Sequence, residues 1–117
     1  MSASDHETRV IRTSRGNVEY RDMGRGEPVL FFHGGQGNAR NTTFDKVFDF
    51  STTRLIVPSR PGYGASDLSG NETAAATAQV IAELLDELQV GPGVAIGVSL
   101  GGRPAIEFAA QFPEKTR

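Results

Sequence analysis

The chain has 117 residues, 38% hydrophobic and 22% charged, with 12 Lys and Arg against 14 Asp and Glu for a formal charge of -2. That length fits one domain with its own core and excludes a second full domain. So small a charge, with no basic run, offers no field for nucleic acid or an anionic membrane, and the absence of cysteine removes disulfides, thiolate metal sites and thiol catalysis.

Residues 1–7 are small and polar, which predicts a disordered tail before a domain over 8–117 and makes His6 a solvated bystander. The stretch Met1 to Thr8 lacks the basic start and apolar core of a signal peptide, and no apolar run could span a bilayer, so a cytoplasmic protein is expected. Thr8 to Thr13 and Asn17 to Asp22 alternate apolar with polar residues around the turn-forming Ser14-Arg15-Gly16-Asn17, which predicts an antiparallel hairpin. Met23 to Pro28 reads as a second turn that launches Val29-Leu30-Phe31-Phe32, an apolar run suited to a buried parallel strand. The loop His33-Gly34-Gly35-Gln36-Gly37 follows, where glycine lets the backbone turn tightly or approach something closely.

From Asn38 to Phe50 the spacing of Phe44, Val47 and Phe48 predicts a helix with those residues on one face. Thr53 to Val57 is the next strand, stopped by Pro58, and Ser59 to Asp67 is a turn-rich loop. Ser69-x-x-Glu72 has the pattern of a capping box. It opens the longest helix, whose stripe is Thr77, Val80, Ile81, Leu84, Leu85 and Leu88 and which Gly91-Pro92 closes. Residues 93–98 predict a strand buried on both faces. A last helix from about Leu100 to Gln111 presents Ala105, Ile106, Phe108, Ala109 and Phe112, and Pro113 ends it. Pro104, near the fifth position of that helix, removes a backbone donor and is expected to loosen its first turn unless the helix starts later. Hairpin, strand, helix, strand, helix, strand, helix is the order of an α/β domain with a parallel sheet and right-handed crossovers.

Gly97-Val98-Ser99-Leu100-Gly101 matches Gly-x-Ser-x-Gly at the last strand-to-helix turn. With 14 glycines in 117 residues, roughly 0.1 such matches arise by chance, so the motif counts chiefly through its context. A buried strand before it, a helix after it and small residues around it are what a strained turn needs to hold a hydroxyl above a sheet. The same turn points the Leu100 N–H into that space, and the glycines after His33 allow a second backbone donor to turn inward. One hydroxyl and two donors suit acyl transfer through a tetrahedral intermediate. A glycine-rich turn without chemistry is the competing reading.

Three stretches in this order resemble the α/β-hydrolase superfamily: Phe31-Phe32-His33-Gly34-Gly35, Arg60-Pro61-Gly62-Tyr63-Gly64-Ala65-Ser66, and Gly97-Val98-Ser99-Leu100-Gly101-Gly102. The resemblance runs from the hairpin to Arg117. It implies the N-terminal hairpin and parallel βαβαβα units of a three-layer α/β-hydrolase sandwich whose C-terminal strands are missing. It implies Ser99 as nucleophile, the backbone N–H groups of Gly35 and Leu100 as oxyanion hole, and His33 and Gly34 as the supporting loop, His33 orienting that loop without serving as base. An ester, amide or other small carbonyl substrate would be hydrolysed through an acyl-enzyme, with no metal or organic cofactor. Ser59 stands where many relatives carry an acid, in a segment that is mainly architectural.

In the family the acid and histidine follow the serine, whereas His6 and His33 both precede Ser99 and the chain ends one helix after it. Without a base a serine hydroxyl is a weak nucleophile at neutral pH, so little activity of this chain alone is expected. The alternative is a non-catalytic fragment or interaction module. The family fold flanks the strand at 93–98 with a further strand, so this chain is expected to expose an apolar edge and to self-associate through it. A dinucleotide fold is disfavoured because Ser99 occupies the place of the fingerprint's second glycine. Glu83, Asp86 and Glu87 lie off the helical stripe, which predicts a solvated face and no metal site.

Overall fold

The computed structural model describes residues 7–35, 37–40, 42 and 44–117. The tail expected over 1–7, with His6, lies outside them except for Glu7. Strands β1 (Arg9–Thr13) and β2 (Gly16–Gly24) form the predicted hairpin, in register from Arg9 opposite Tyr20 to Thr13 opposite Gly16. Strands β3 (Glu27–Phe32), β4 (Thr53–Pro58) and β5 (Val94–Gly97) complete one mixed sheet in the order β1-β2-β4-β3-β5. β2 runs antiparallel to β4, while β3 is parallel to both β4 and β5. The turn expected over 23–28 shrinks to Arg25 and Gly26, because Arg25 N–H donates to Phe50 O at 3.0 Å and Glu27 N–H to Thr52 O at 2.9 Å. Gly24 and Gly26 permit this close passage: a Cβ on either would lie 2.1 Å from the carbonyl oxygen of Thr53 or Thr52.

Alternation along the central strands divides the core between the two faces. Leu30, Phe32 and Ile56 join Val18 and Tyr20 under two helices, and Val29, Phe31, Leu55 and Val57 join Met23 on the opposite face. Helix α1 (Ala74–Glu87) forms where alanines and unbranched residues favour it, and its stripe Thr77, Val80, Ile81, Leu84 and Leu85 is buried as expected. Burial of Ile81 and Leu84 contributes about 1.5–3 kcal/mol each. The cap differs from the expected one: Thr73 is the N-cap, its hydroxyl accepting from Ala76 N–H at 3.0 Å, and Ser69 and Glu72 lie outside the helix. At the other end Gln89, at φ 56°, stops the helix before Gly91 is reached.

Helix α2 (Gly102–Gln111) begins after a short 3-10 turn at Ser99–Gly101, which places Pro104 in the first turn, where no donor is lost. Its inner face is Ala105 and Phe108, while Ile106 and Ala109 face outward, contrary to expectation. The expected helix over 38–50 is replaced by a 3-10 turn at Asp45–Val47. Val47 is 73% exposed, Phe44 is half-exposed with its ring 5.4 Å from that of Phe31, and Phe48 packs on the sheet. A buried ion pair takes the helix's place as the anchor of this segment: Asp45 receives Arg21 Nη1 at 2.8 Å and Nη2 at 3.1 Å. Arg21 Nε also donates to Ala39 O.

β5 is one of the two outer strands of the sheet. Its residues are exposed or half-buried, so the expectation of a strand buried on both faces fails there for want of a neighbour on one side. Beyond it Gly93 forms a single parallel bridge with Thr116, Gly93 N–H donating to Lys115 O at 3.1 Å and Arg117 N–H to Gly93 O at 2.9 Å. Val94 is 45% and Ile106 72% exposed, which leaves an open apolar strip along that edge. Among the described residues no helix is long and apolar enough to cross a membrane.

Candidate active site

Ser99 follows β5 at φ 53°, in the left-handed region that an L-residue enters at a cost of roughly 1–2 kcal/mol. The glycines two positions to either side have no room for a side chain. A Cβ at Gly97 would stand 2.5 Å from Gly101 O and 2.5 Å from Gly102 Cα, and a Cβ at Gly101 would stand 2.2 Å from Phe32 O and 2.4 Å from His33 O. Val98 N–H donates to Phe32 O at 3.1 Å and Gly101 N–H to Val98 O at 2.8 Å, so the turn is tied to the end of β3. Ser99 and Leu100 are left exposed beside a shallow depression that Arg60, Glu72, Arg103 and Pro104 also line.

The loop after β3 abuts this turn. A Cβ on Gly34 would lie 3.6 Å from Ser99 Cβ, and one on Gly35 would lie 2.6 Å from Leu100 Cδ1. Ser99, Leu100, Gly34 and Gly35 are thereby brought together. Among the described residues the N–H groups of Gly35 and Leu100 donate to no backbone acceptor outside regular structure. Such donors at the end of a strand are a means of stabilising negative charge on a bound oxygen.

His33 is buried and has both ring nitrogens engaged. Arg60 N–H donates to Nε2 at 2.9 Å, so Nε2 is the unprotonated nitrogen, and Nδ1 donates to Gly34 O at 2.7 Å. The Tyr63 ring meets the imidazole edge-on at 4.9 Å between centroids. Burial pushes the His33 pKa below its ordinary value, and the Arg60 charge adds to that against the opposing bond to Gly34. A neutral imidazole with no free nitrogen joins the two loops and has none left to take a proton from Ser99.

The loop at 59–66 rests on a carboxylate that patterning did not reveal. Glu19 on β2 is buried, its Oε1 accepting from Ser59 Oγ at 2.8 Å and Ala65 N–H at 3.2 Å, while Oε2 lies 3.2 Å from Arg40 Nη2. Ser59 Oγ in turn accepts from Ala39 N–H at 2.7 Å, and Ser66 Oγ donates to Ser59 O at 2.6 Å. Ser59 stands where the resemblance implies an acid, and β2 supplies a carboxylate beside it. Arg60 belongs to a segment expected to be mainly architectural, yet its side chain lines the depression with Ser99. The proximity of Arg60 to Ser99 arises from the parallel crossovers, and the order of residues alone carries no signal for it.

A model of the alpha/beta hydrolase fold matches residues 27–117. The uncharacterized hydrolase YcgS of Bacillus subtilis is 34% identical over 106 residues, 91% of this chain and 37% of that protein. The esterase Rv0045c of Mycobacterium tuberculosis is 33% identical over 108 residues, 90% of this chain and 36% of its own length. Among solved structures, the N-acyl homoserine lactonase AidH superposes with a TM-score of 0.81 at 26% identity, over 94% of this chain and 45% of the lactonase. The chain therefore spans less than half the length of these relatives. With a mixed sheet that begins in the expected hairpin and the family match extending from the start of β3 to Arg117, this chain belongs to the alpha/beta hydrolase fold family.

Proposed function

We propose that this chain carries the nucleophile and the oxyanion donors of a serine hydrolase acting on an ester, amide or other small carbonyl compound. The observation that supports this most is Ser99 held at φ 53° between two glycines that cannot grow without meeting backbone. Ser99 Oγ adds to the substrate carbonyl carbon, and the oxyanion so formed takes hydrogen bonds from the N–H groups of Leu100 and Gly35. Collapse expels the leaving group and forms an acyl-enzyme, which water then cleaves. The proton from Ser99 needs a base. Among the described residues His33 is the only histidine and both its nitrogens are bonded, so in this reading no described imidazole serves as the base and the chain alone is slow. The names of the relatives, an esterase and a lactonase, fit acyl transfer to water. A cytoplasmic setting is part of the same reading.

Oxyanion donors and binding retain appreciable catalysis when a triad member is lost, which makes the reading testable on this chain. Treated with a fluorophosphonate, the chain should be modified at Ser99 at least about tenfold faster than at any other exposed serine. Peptide mass spectrometry locates the label, and p-nitrophenyl acetate turnover of the chain and of Ser99→Ala is followed in parallel. Even labelling across the exposed serines, or turnover unchanged in Ser99→Ala, would refute the assignment.

The second reading is an interaction module that pairs through its sheet edge. It is favoured by β5, an outer strand with the half-exposed Val94 and only one bridge on its free side. Sedimentation across a concentration series decides it: self-association that Val94→Lys abolishes supports edge pairing, and a monomer at every concentration rules it out.

A further inference from the structure

Arg60 leaves β4 with its backbone N–H on His33 Nε2 and its side chain in the depression that Ser99 borders. Its guanidinium carbon lies 4.6 Å from the centroid of the Tyr63 ring, a stacked arrangement that holds one face of the cation. Nε and Nη2 are shut off from solvent and have no hydrogen-bond partner. These adjacent donors form the planar fork that receives both oxygens of a carboxylate. Buried donors without acceptors are a standing cost, which calls for an explanation in terms of a group that visits the site.

No protein carboxylate among the described residues fills that place. Glu19, the nearest along the loop network, is committed to Ser59, Ala65 and Arg40. Glu72 lines the same depression and forms no ion pair with Arg60. The charged groups around the depression are Arg60, Arg103 and Glu72, so one positive charge remains unbalanced beside the exposed Ser99. The guanidinium stacks on Tyr63 and neither Nε nor Nη2 is bonded to the protein, so turning the fork toward the depression breaks no hydrogen bond at either nitrogen.

We propose that Arg60 is the substrate-recognition residue of this site and that it selects acyl compounds bearing a carboxylate, such as half-esters of short dicarboxylic acids. The carboxylate docks on the Nε and Nη2 fork while the scissile carbonyl lies at Ser99. The identity of the ligand as a substrate rests on the acyl-transfer reading, whereas the binding step needs Arg60 and not the Ser99 hydroxyl.

The test is a titration of the whole chain with glutarate, its neutral dimethyl ester and inorganic phosphate, followed by NMR at the Arg60 Nε–H resonance and neighbouring amides. Saturable shifts with glutarate, at least tenfold weaker binding of the dimethyl ester and of phosphate, and unchanged glutarate binding in Ser99→Ala are expected. Arg60→Gln should lose glutarate binding, and Arg60→Lys, which keeps the charge without the fork, should weaken it about tenfold. Circular dichroism of both variants establishes that they fold, since the bond to His33 uses the Arg60 backbone. Absence of glutarate binding, equal binding of the dimethyl ester or tighter binding of phosphate overturns the proposal. So does unchanged binding in a folded Arg60→Gln. Failure of fluorophosphonate labelling would strike at the acyl-transfer reading and leave this result standing.

Discussion

Gln89 and Ser99 sit ten residues apart with nearly the same strained backbone, at φ 56° and 53°, and the surroundings differ completely. At Gln89 the left-handed residue ends α1: its N–H reaches Asp86 O at 3.1 Å and Val90 N–H reaches Leu85 O at 3.0 Å. The side chain is exposed, and the neighbouring Gly91 would meet nothing within 4 Å if it gained a Cβ. At Ser99 the flanking glycines are pressed against Phe32, His33 and each other's turn, and the strained residue is the one whose side chain faces the depression. The first strain stops a helix and any glycine could do the same. The second is imposed by packing on both sides, which is how strain accompanies a site.

Gly101→Ala attacks the contrast most directly. Its Cβ would meet two backbone oxygens, so urea unfolding should show a loss of about 3 kcal/mol, and a loss below about 1 kcal/mol would mean the turn yields easily. Next, His33→Gln should cost about 2 kcal/mol at pH 7.5, since it disturbs the bonds to Arg60 N–H and Gly34 O. The folded pKa of His33 lies below the ordinary 6.5, so its contribution to stability is full above about pH 6.5 and declines as pH falls toward the folded value. Unfolding free energies from pH 7.5 to 5 should therefore drop in the wild type and drop less in His33→Gln. An identical slope in the two would remove His33 as the acid-sensitive brace of the Ser99 turn, a brace that Gln89 lacks.

The smallest effects come from releasing the strain itself. Gln89→Gly and Ser99→Gly should each stabilise the chain by about 1 kcal/mol, because glycine adopts positive φ without penalty. Only Ser99→Gly should also abolish fluorophosphonate labelling. If Ser99→Gly were destabilising, the serine side chain would have to hold the turn in place, and the parallel with Gln89 would fail.

The stripe of α1 is readable because six apolar or small positions repeat at helical spacing and the tertiary structure uses all of them, five fully buried and Leu88 half-buried against the core. The same spacing misleads at Phe44, Val47 and Phe48, where Arg21 draws Asp45 inward and a single 3-10 turn suffices. Glu19 and Arg21 escape a pattern reading because charged residues alternating with Val18 and Tyr20 look like a solvent face. They are buried because β2 is an interior strand, paired on both sides, and loops cover that face. Ser69-x-x-Glu72 was a decoy since Thr73 lies one residue before the alanine run and caps it without help. At the site, the motif spacing brought Ser99, Leu100, Gly34, Gly35 and His33 forward. The place of Arg60 beside them depends on the strand order and is visible only once β4 and β5 flank β3.

The two charges on β2 also couple motions. Arg21 holds Ala39 and Asp45, and Glu19 holds Ser59, Ala65 and Arg40, while Ala39 N–H bonds Ser59 directly. The segment around Ala39 and the loop that carries Arg60 and Tyr63 are thus hinged on neighbouring rungs of one strand. Lifting either loop therefore breaks hydrogen bonds that also hold the other, since Ser59 Oγ bonds both Ala39 N–H and Glu19.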